Sequence, residues 1–249
     1  LKDPKIKKIY LTFKKQLYSQ IKNEKFCIGV SGGPDSLALA FLGKIFSKEF
    51  NSKFIALIID HNLRKQSGIE ARKVKKILTK HKIRTKILTW KGKIPKSNIQ
   101  FNARNIRYFL LNKECNKLNI KNLVLAHHEG DLIENFFIRL FRGSGLKGLS
   151  SLNIKKHSED NILSLIRPLI NTKKNELIYI SKKVFEFYLT DPSNFKEKFL
   201  RTRIRNYLDK FKLDGLDINK VKLTLSNLQS ANESINFYKE KSIKNYVRY

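Results

Sequence analysis

The sequence has 249 residues, 41% of them hydrophobic, enough for one large domain or one domain with an appendage. No apolar run approaches the ~20 residues that span a bilayer, and the N-terminal residues carry no signal-like apolar stretch, so a membrane partner is not expected. The formal net charge of +31 points instead to a polyanionic partner, and most arginines, whose planar guanidinium suits phosphate, fall inside the motif segments described below.

Taken in chain order, Ile6 to Ile21 has apolar residues at helical spacing and reads as an amphipathic helix. Phe26 to Val30 is a strand and Leu37 to Phe50 a helix; Phe54 to Asp60, "FIALIID", is an unbroken apolar strand of the kind buried on both faces. A helix over Gly68 to His81, a strand over Arg84 to Trp90 and a helix over Ile99 to Leu118 follow. Asn122 to Ala126 is again a buried strand, with a helix over Asp131 to Phe141 in which Phe136, Phe137 and Phe141 have core spacing. A further strand, Asn161 to Ile166, leads into "RPLI" and a helix from Lys173; Asp191 to Asn194 is a turn, and the chain from Lys198 on is helical and basic.

Strand and helix alternating with short links predict an α/β fold: a parallel sheet of about five strands with helices on both faces, followed by a helical C-terminal segment. The expected organisation is an N-terminal helix over 1–24 packed on a catalytic domain over 25–210, with a helical extension over 211–249. Ligands of such sheets sit beyond the carboxyl ends of the strands. The notable residues fall there: Ser31 to Ser36, Asp60 to Arg64, and His127 to Glu134. Cys27 and Cys115 lie far apart in sequence, outside any Cys-x-x-Cys pair, and read as structural thiols of a reducing cytosol.

"SGGPDS" (Ser31 to Ser36) joins a buried strand to a helix, and such a unit turns backbone N–H groups and a helix N-terminus toward an anion. Gly32 and Gly33 permit close backbone approach, Ser31 and Ser36 add hydroxyls, and Pro34 suits the first helical position. Asp35 is the odd member, since a carboxylate beside a phosphate repels it unless a cation such as Mg²⁺ lies between. Neither G-x-x-x-x-G-K-[ST] nor G-x-G-x-x-G is present, and the segment alone also reads as a tight capped turn.

The segment resembles the SGGxDS loop of the N-type ATP pyrophosphatases, the PP-loop superfamily, whose sheet is adenine nucleotide α-hydrolase-like. Later segments narrow the resemblance. "DHNLR" (Asp60 to Arg64), "ARNIRY" (Ala103 to Tyr108), "AHHEGDLIENFFIRLFRGSGLKGLSSL" (Ala126 to Leu152), "IRPLI" and "DPSN…RTRIRN" are together similar to the signature of the tRNA(Ile)-lysidine synthetase family. Three positions depart from it: Gly130 replaces the first of two adjacent aspartates, Leu132 a glutamine and Asn135 a threonine. The chain also ends soon after the helix that leads to C-terminal domains in longer members, which implies a short form or a missing tRNA-binding appendage.

The resemblance implies a cytoplasmic ligase. ATP adenylates the C2 oxygen of the wobble cytidine of a CAU-anticodon tRNA(Ile), releasing pyrophosphate; an amine of L-lysine then attacks C2 and AMP leaves. ATP-binding residues would be Ser31, Gly32, Gly33, Pro34, Asp35, Ser36, His61, Arg64 and His127, with Mg²⁺ on Asp35 and Asp131. Asp35, Asp131, Glu134 and Arg104 would be catalytic, and Arg107, Arg142, Arg201 and Arg205 would contact tRNA. The resemblance also allows a homodimer. A PP-loop tRNA thiolase is the neighbouring alternative, although such enzymes use catalytic or cluster-binding cysteines; a catalytically silent tRNA-binding homologue is the third.

Overall fold

The computed structural model describes residues 2–62, 66–92, 97, 99–157, 163–190 and 200–246. Two compact units are present: Leu1–Glu129 with Ile154–Asp191, and Gly130–Asn153 with Pro192–Tyr249.

The first unit holds a six-stranded sheet of order β3-β2-β1-β4-β6-β5. The strands are β1 (Phe26–Val30), β2 (Phe54–Asp60), β3 (Thr85–Thr89), β4 (Asn122–Val124), β5 (Lys155–His157) and β6 (Ser164–Ile166). Five run parallel, as the alternation predicts. The sixth, β5, pairs antiparallel with β6 at the edge. No periodicity announces β5: an edge strand of three residues has one neighbour and no buried run, and its exposed Lys155 and Lys156 discourage further pairing.

Side chains alternate between two cores. Phe26, Ile28 and Val30 of β1 and Ala56 and Ile58 of β2 join one cluster, with α1 (Pro4–Ile21), α2 (Pro34–Glu49), α3 (Ser67–Lys80) and α7 (Lys174–Phe185). Cys27, Ile55 and Leu57 point into the other, where α4 (Ile99–Lys117) supplies Leu111 and Cys115. The two cysteines, distant in sequence, thus share one core; both are free and fully buried, and the Cys27 thiol is pushed up by its hydrogen bond with Cys115 and by burial. A thiol so held is a poor nucleophile.

Asp3 caps α1 by accepting the Ile6 N–H at 2.9 Å, and its other oxygen accepts the Tyr179 hydroxyl of α7 at 2.7 Å. Phe13 of α1 meets Phe46 edge-on, and Phe46 in turn meets Phe26 of β1.

The second unit is helical: α5 (Glu129–Leu140, from Gly130 onward), α6 (Leu146–Leu149), α8 (Leu200–Leu213) and α9 (Ile218–Tyr246), with α6 against α9. Phe136 is buried, but Phe141, expected in a core, is 60% exposed because α5 stops at Leu140 and the chain turns at Gly143, φ +66°. The turn is closed by Ser144 N donating to Arg139 O at 3.0 Å, a glycine-type helix cap. Among the described residues no helix is long and apolar enough to cross a membrane.

Phe13→Ala removes a fully buried ring from the contact that ties α1 to the sheet. It is expected to lower stability by about 3–5 kcal/mol in urea denaturation; a loss below 1 kcal/mol would mean that α1 is not part of the core.

Candidate functional site

The chain leaves β1 outward to β2 and β3, then returns to β4 on the other side of β1. The carboxyl ends of β1 and β4 therefore flank a topological switch point, the place where open α/β sheets take ligands. The segment Ser31 to Ser36 occupies it.

Gly32 is buried with φ +86°, and a Cβ there would lie 2.6 Å from Val74 and 2.8 Å from Leu189. Its carbonyl accepts the Leu189 N–H at 2.9 Å, so only glycine fits both the backbone angle and the space. The Ser36 hydroxyl donates to Gly33 O at 2.9 Å and accepts the Ser31 N–H at 3.2 Å; Ser31 Oγ is 3.3 Å away and exposed to solvent as part of its residue. Pro34, Asp35 and Ser36 form the first turn of α2 rather than a loop before it, because proline's fixed φ starts the helix. Ser181 of α7 donates to Pro34 O at 2.6 Å and pins this turn. Gly33, the N-cap, offers no side chain, so no side-chain cap covers the helix N-terminus.

Asp35 is partly exposed. Its Oδ2 lies 3.4 Å from Lys174 Nζ and 3.9 Å from Nε2 of the buried His128, while Oδ1 is buried with no hydrogen-bond partner. An ionised oxygen left without a donor is costly unless a cation completes it. Among the described residues no group of three or more His, Cys, Asp or Glu side chains is placed to cage a metal. Mg²⁺ needs no such cage, since one or two carboxylates, phosphate oxygens and water commonly complete its octahedron. The residues present fit it in that manner.

His127 accepts a hydrogen bond at Nδ1 from Nε of the buried Arg167, at 3.2 Å. His61, at the end of β2, has a buried Nδ1 with no partner; burial, then the Arg107 charge, push its imidazole down to about 4 against the opposing pull of Asp60. Asp60 is occupied locally, accepting from Asn62 N at 2.9 Å and Ser67 Oγ at 2.7 Å. Arg104 and Arg107 are exposed on α4, with the Arg104 guanidinium 5.0 Å over the Tyr108 ring. Arg64 lies outside the described residues, as does the Asp191 to Asn194 turn.

In the second unit, Asp131 is half-buried in the first turn of α5 and Glu134 is buried one turn on. Glu134 receives both Nε and Nη2 of Arg205 on α8, the latter at 3.1 Å. Two residues that the sequence assigns to separate tasks are thus one bidentate pair. Arg142, Arg201 and Arg203 are exposed and leave their guanidinium groups at the surface.

A model of the PP-loop domain matches residues 6–211. The chain belongs to the PP-loop family. Among curated PP-loop relatives, the tRNA(Ile)-lysidine synthase of Orientia tsutsugamushi is 42% identical over 187 residues, 75% of this chain and 42% of that protein. The enzyme of the same name from Rickettsia bellii is 40% identical, covering 75% of this chain and 43% of its own length. That of Bradyrhizobium diazoefficiens is 32% identical over 89% of this chain and 62% of its own. The chain thus spans less than half the length of the first two. Among solved structures, a U34-tRNA thiolase of Methanococcus maripaludis with a [4Fe-4S] cluster superposes with a TM-score of 0.74 at 20% identity, over 93% of this chain and 78% of that one. It shares the PP-loop fold.

Sequence reasoning gave no role to Lys174 or Arg167. Lys174 sits among many lysines, and nothing local sets it apart from its neighbour Lys173. Arg167 carried a signal in "IRPLI", an arginine inside an apolar run at the end of a buried strand.

Two outcomes follow for the PP-loop site. Gly32→Ala should open the segment to proteolysis and lower the melting temperature by several degrees, roughly 1–3 kcal/mol of overpacking and strain; an unchanged melting curve would show that the +86° backbone is not required. The folded His61 pKa lies below its ordinary 6.5, so the unfolded chain takes up a proton between about 6.5 and about 4 that the folded chain refuses. Its contribution to stability is therefore lost as pH falls through that window. Melting curves of wild type and His61→Asn should converge, or cross in favour of the variant, between pH 7 and pH 4.5; a parallel pair of curves would contradict the burial of that ring.

Proposed function

We propose that this chain is the catalytic part of an ATP-dependent ligase that joins L-lysine to C2 of the wobble cytidine in a CAU-anticodon tRNA(Ile). The observation that carries the reading is Asp35, with its buried and unpartnered Oδ1, beside the uncapped N-terminus of α2 at the switch point of a PP-loop sheet. That arrangement suits a nucleotide triphosphate with its cation, and the curated relatives that match this chain at 32%, 40% and 42% identity are named for lysidine synthesis.

In this reading the backbone N–H groups of Gly32, Gly33, Asp35 and Ser36 face the β- and γ-phosphates, with the dipole of α2 behind them. Asp35 would hold Mg²⁺, which would supply neutralisation of the phosphate charge. The C2 oxygen of cytidine attacks the α-phosphorus, the α–β bridging bond breaks, and pyrophosphate leaves. The lysine amine then attacks C2; the C2–O bond breaks, AMP departs, and the amine loses a proton. Asp131, a half-buried carboxylate in the first turn of α5, serves as a base for that proton. Glu134 is oriented by Arg205, whose two donors fix both carboxylate oxygens.

The tRNA would be drawn to the exposed Arg104, Arg107, Arg142, Arg201 and Arg203, contacts to phosphate that position without reading sequence. Thiolation finds no support in the thiols, both of which are buried in the core behind β1.

Radiolabelled lysine should enter a CAU-anticodon tRNA(Ile) transcript only with ATP, and Asp35→Ala should reduce the rate by at least a hundredfold, the scale of losing a charge-stabilising group. Pyrophosphate release on tRNA without lysine labelling would move the reading to another nucleophile. Retained tRNA binding with neither product would favour a binding homologue.

A further inference from the structure

Arg167 follows β6 directly and is held from both sides. Its N–H donates to Ile154 O at 2.7 Å, Pro168 fixes the next backbone angle, and Leu169 and Ile170 are buried beyond it. The residue is 3% exposed, so its guanidinium has little freedom to choose another geometry. From there Nε donates to Nδ1 of His127 at 3.2 Å.

The chemistry of that one bond is restrictive. A guanidinium has five N–H donors, no acceptor, and keeps its proton at any ordinary pH. The hydrogen bond therefore exists only if His127 Nδ1 carries a lone pair, which places the ring proton on Nε2. Moving the proton to Nδ1, or adding a second one, would set N–H against N–H where one partner is buried. The surrounding charge acts in the same direction. Burial is the main reason Arg167 holds its proton less tightly, with Tyr108 opposing and the Arg104 charge adding to it, and a further positive charge on His127 would join two cations already present.

We infer that Arg167 is a positioning residue that holds His127 as a neutral imidazole donating through Nε2, so that His127 meets the nucleotide as a hydrogen-bond donor and not as a base. The inference rests on the reading of this site as an ATP site. A donor whose direction and protonation are set before the substrate arrives stabilises phosphate charge without reorganising during the reaction. It also removes His127 from the groups able to take the amine proton, leaving that task to a carboxylate.

The test uses the full chain labelled with [¹⁵N]histidine, with the His127 signals assigned by their loss in His127→Gln. At neutral pH wild type should show an unprotonated Nδ1 and a protonated Nε2, and Arg167→Met should release the ring to an ordinary mixture of tautomers. Arg167→Lys, which keeps a donor on a flexible stem, should hold the tautomer in part, and serves if the methionine variant does not fold. ATP binding should weaken roughly tenfold in His127→Ala, the loss of one hydrogen bond to a charged acceptor, with part of that loss recovered in His127→Gln, whose amide restores an N–H. A protonated Nδ1 in wild type overturns the proposal without recourse to any variant; so does equal ATP affinity in the alanine and glutamine variants. Failure to label tRNA with lysine would remove the proposed reaction, yet the tautomer of His127 would still be read directly from the nitrogen spectrum.

Discussion

The sheet order governs everything that can happen at this site. Because β1 lies between β2 and β4, and the chain winds away on one side before returning on the other, the segments after β1 and β4 diverge and leave a crevice between them. Ser31 to Ser36 enters that crevice from one side and His127 and His128 from the other, which is how Asp35 comes to lie 3.9 Å from His128 across more than ninety residues of sequence. The crevice exists only if β1 is buried on both faces, and its alternation of Phe26, Ile28 and Val30 against Cys27 ensures that.

The second constraint is charge. A chain of net +31 has no shortage of cations, but the placed ones differ from the rest. Lys174 reaches Asp35 Oδ2 from the first turn of α7, while Oδ1 is left without a donor. A lysine half exposed at this distance contributes little to stability. Its effect is local, placing a positive charge beside the Asp35 carboxylate at a helix N-terminus, where negative charge is favoured. Arg167 and Arg205 are held more firmly, one in a buried bond to an imidazole and the other in a bidentate grip on Glu134. Removing Arg205 would leave a buried carboxylate uncompensated, which is why such pairs are costly to break even when forming them gains little.

The three departures from the family signature also acquire a physical setting. Leu132 is 7% exposed and replaces a polar side chain at a position this structure buries, so an apolar residue is at home there. Asn135 is occupied by a hydrogen bond to Ser151 Oγ at 3.2 Å, which joins α5 to the segment after α6. Gly130 lies in the first turn of α5, where the lost aspartate would have added negative charge to a helix N-terminus; Glu129 and Asp131 still flank that position.

The sequence by itself determined the alternation of buried strands and amphipathic helices, the parallel sheet, and the glycine-rich segment that joins β1 to α2, because hydrophobic period and glycine chemistry are local properties of the chain. What it left open were pairings between elements. Nothing near Cys27 announces Cys115, nothing near Glu134 announces Arg205, and the arginine of "IRPLI" is silent about His127 until β4 and β6 lie side by side. β5, three residues long with two exposed lysines, was invisible for the same reason, since only the neighbouring β6 makes it a strand. Hydrogen bonds and ion pairs of this kind depend on a few ångströms and a direction, and those are set by the register of the sheet and the packing of helices on it.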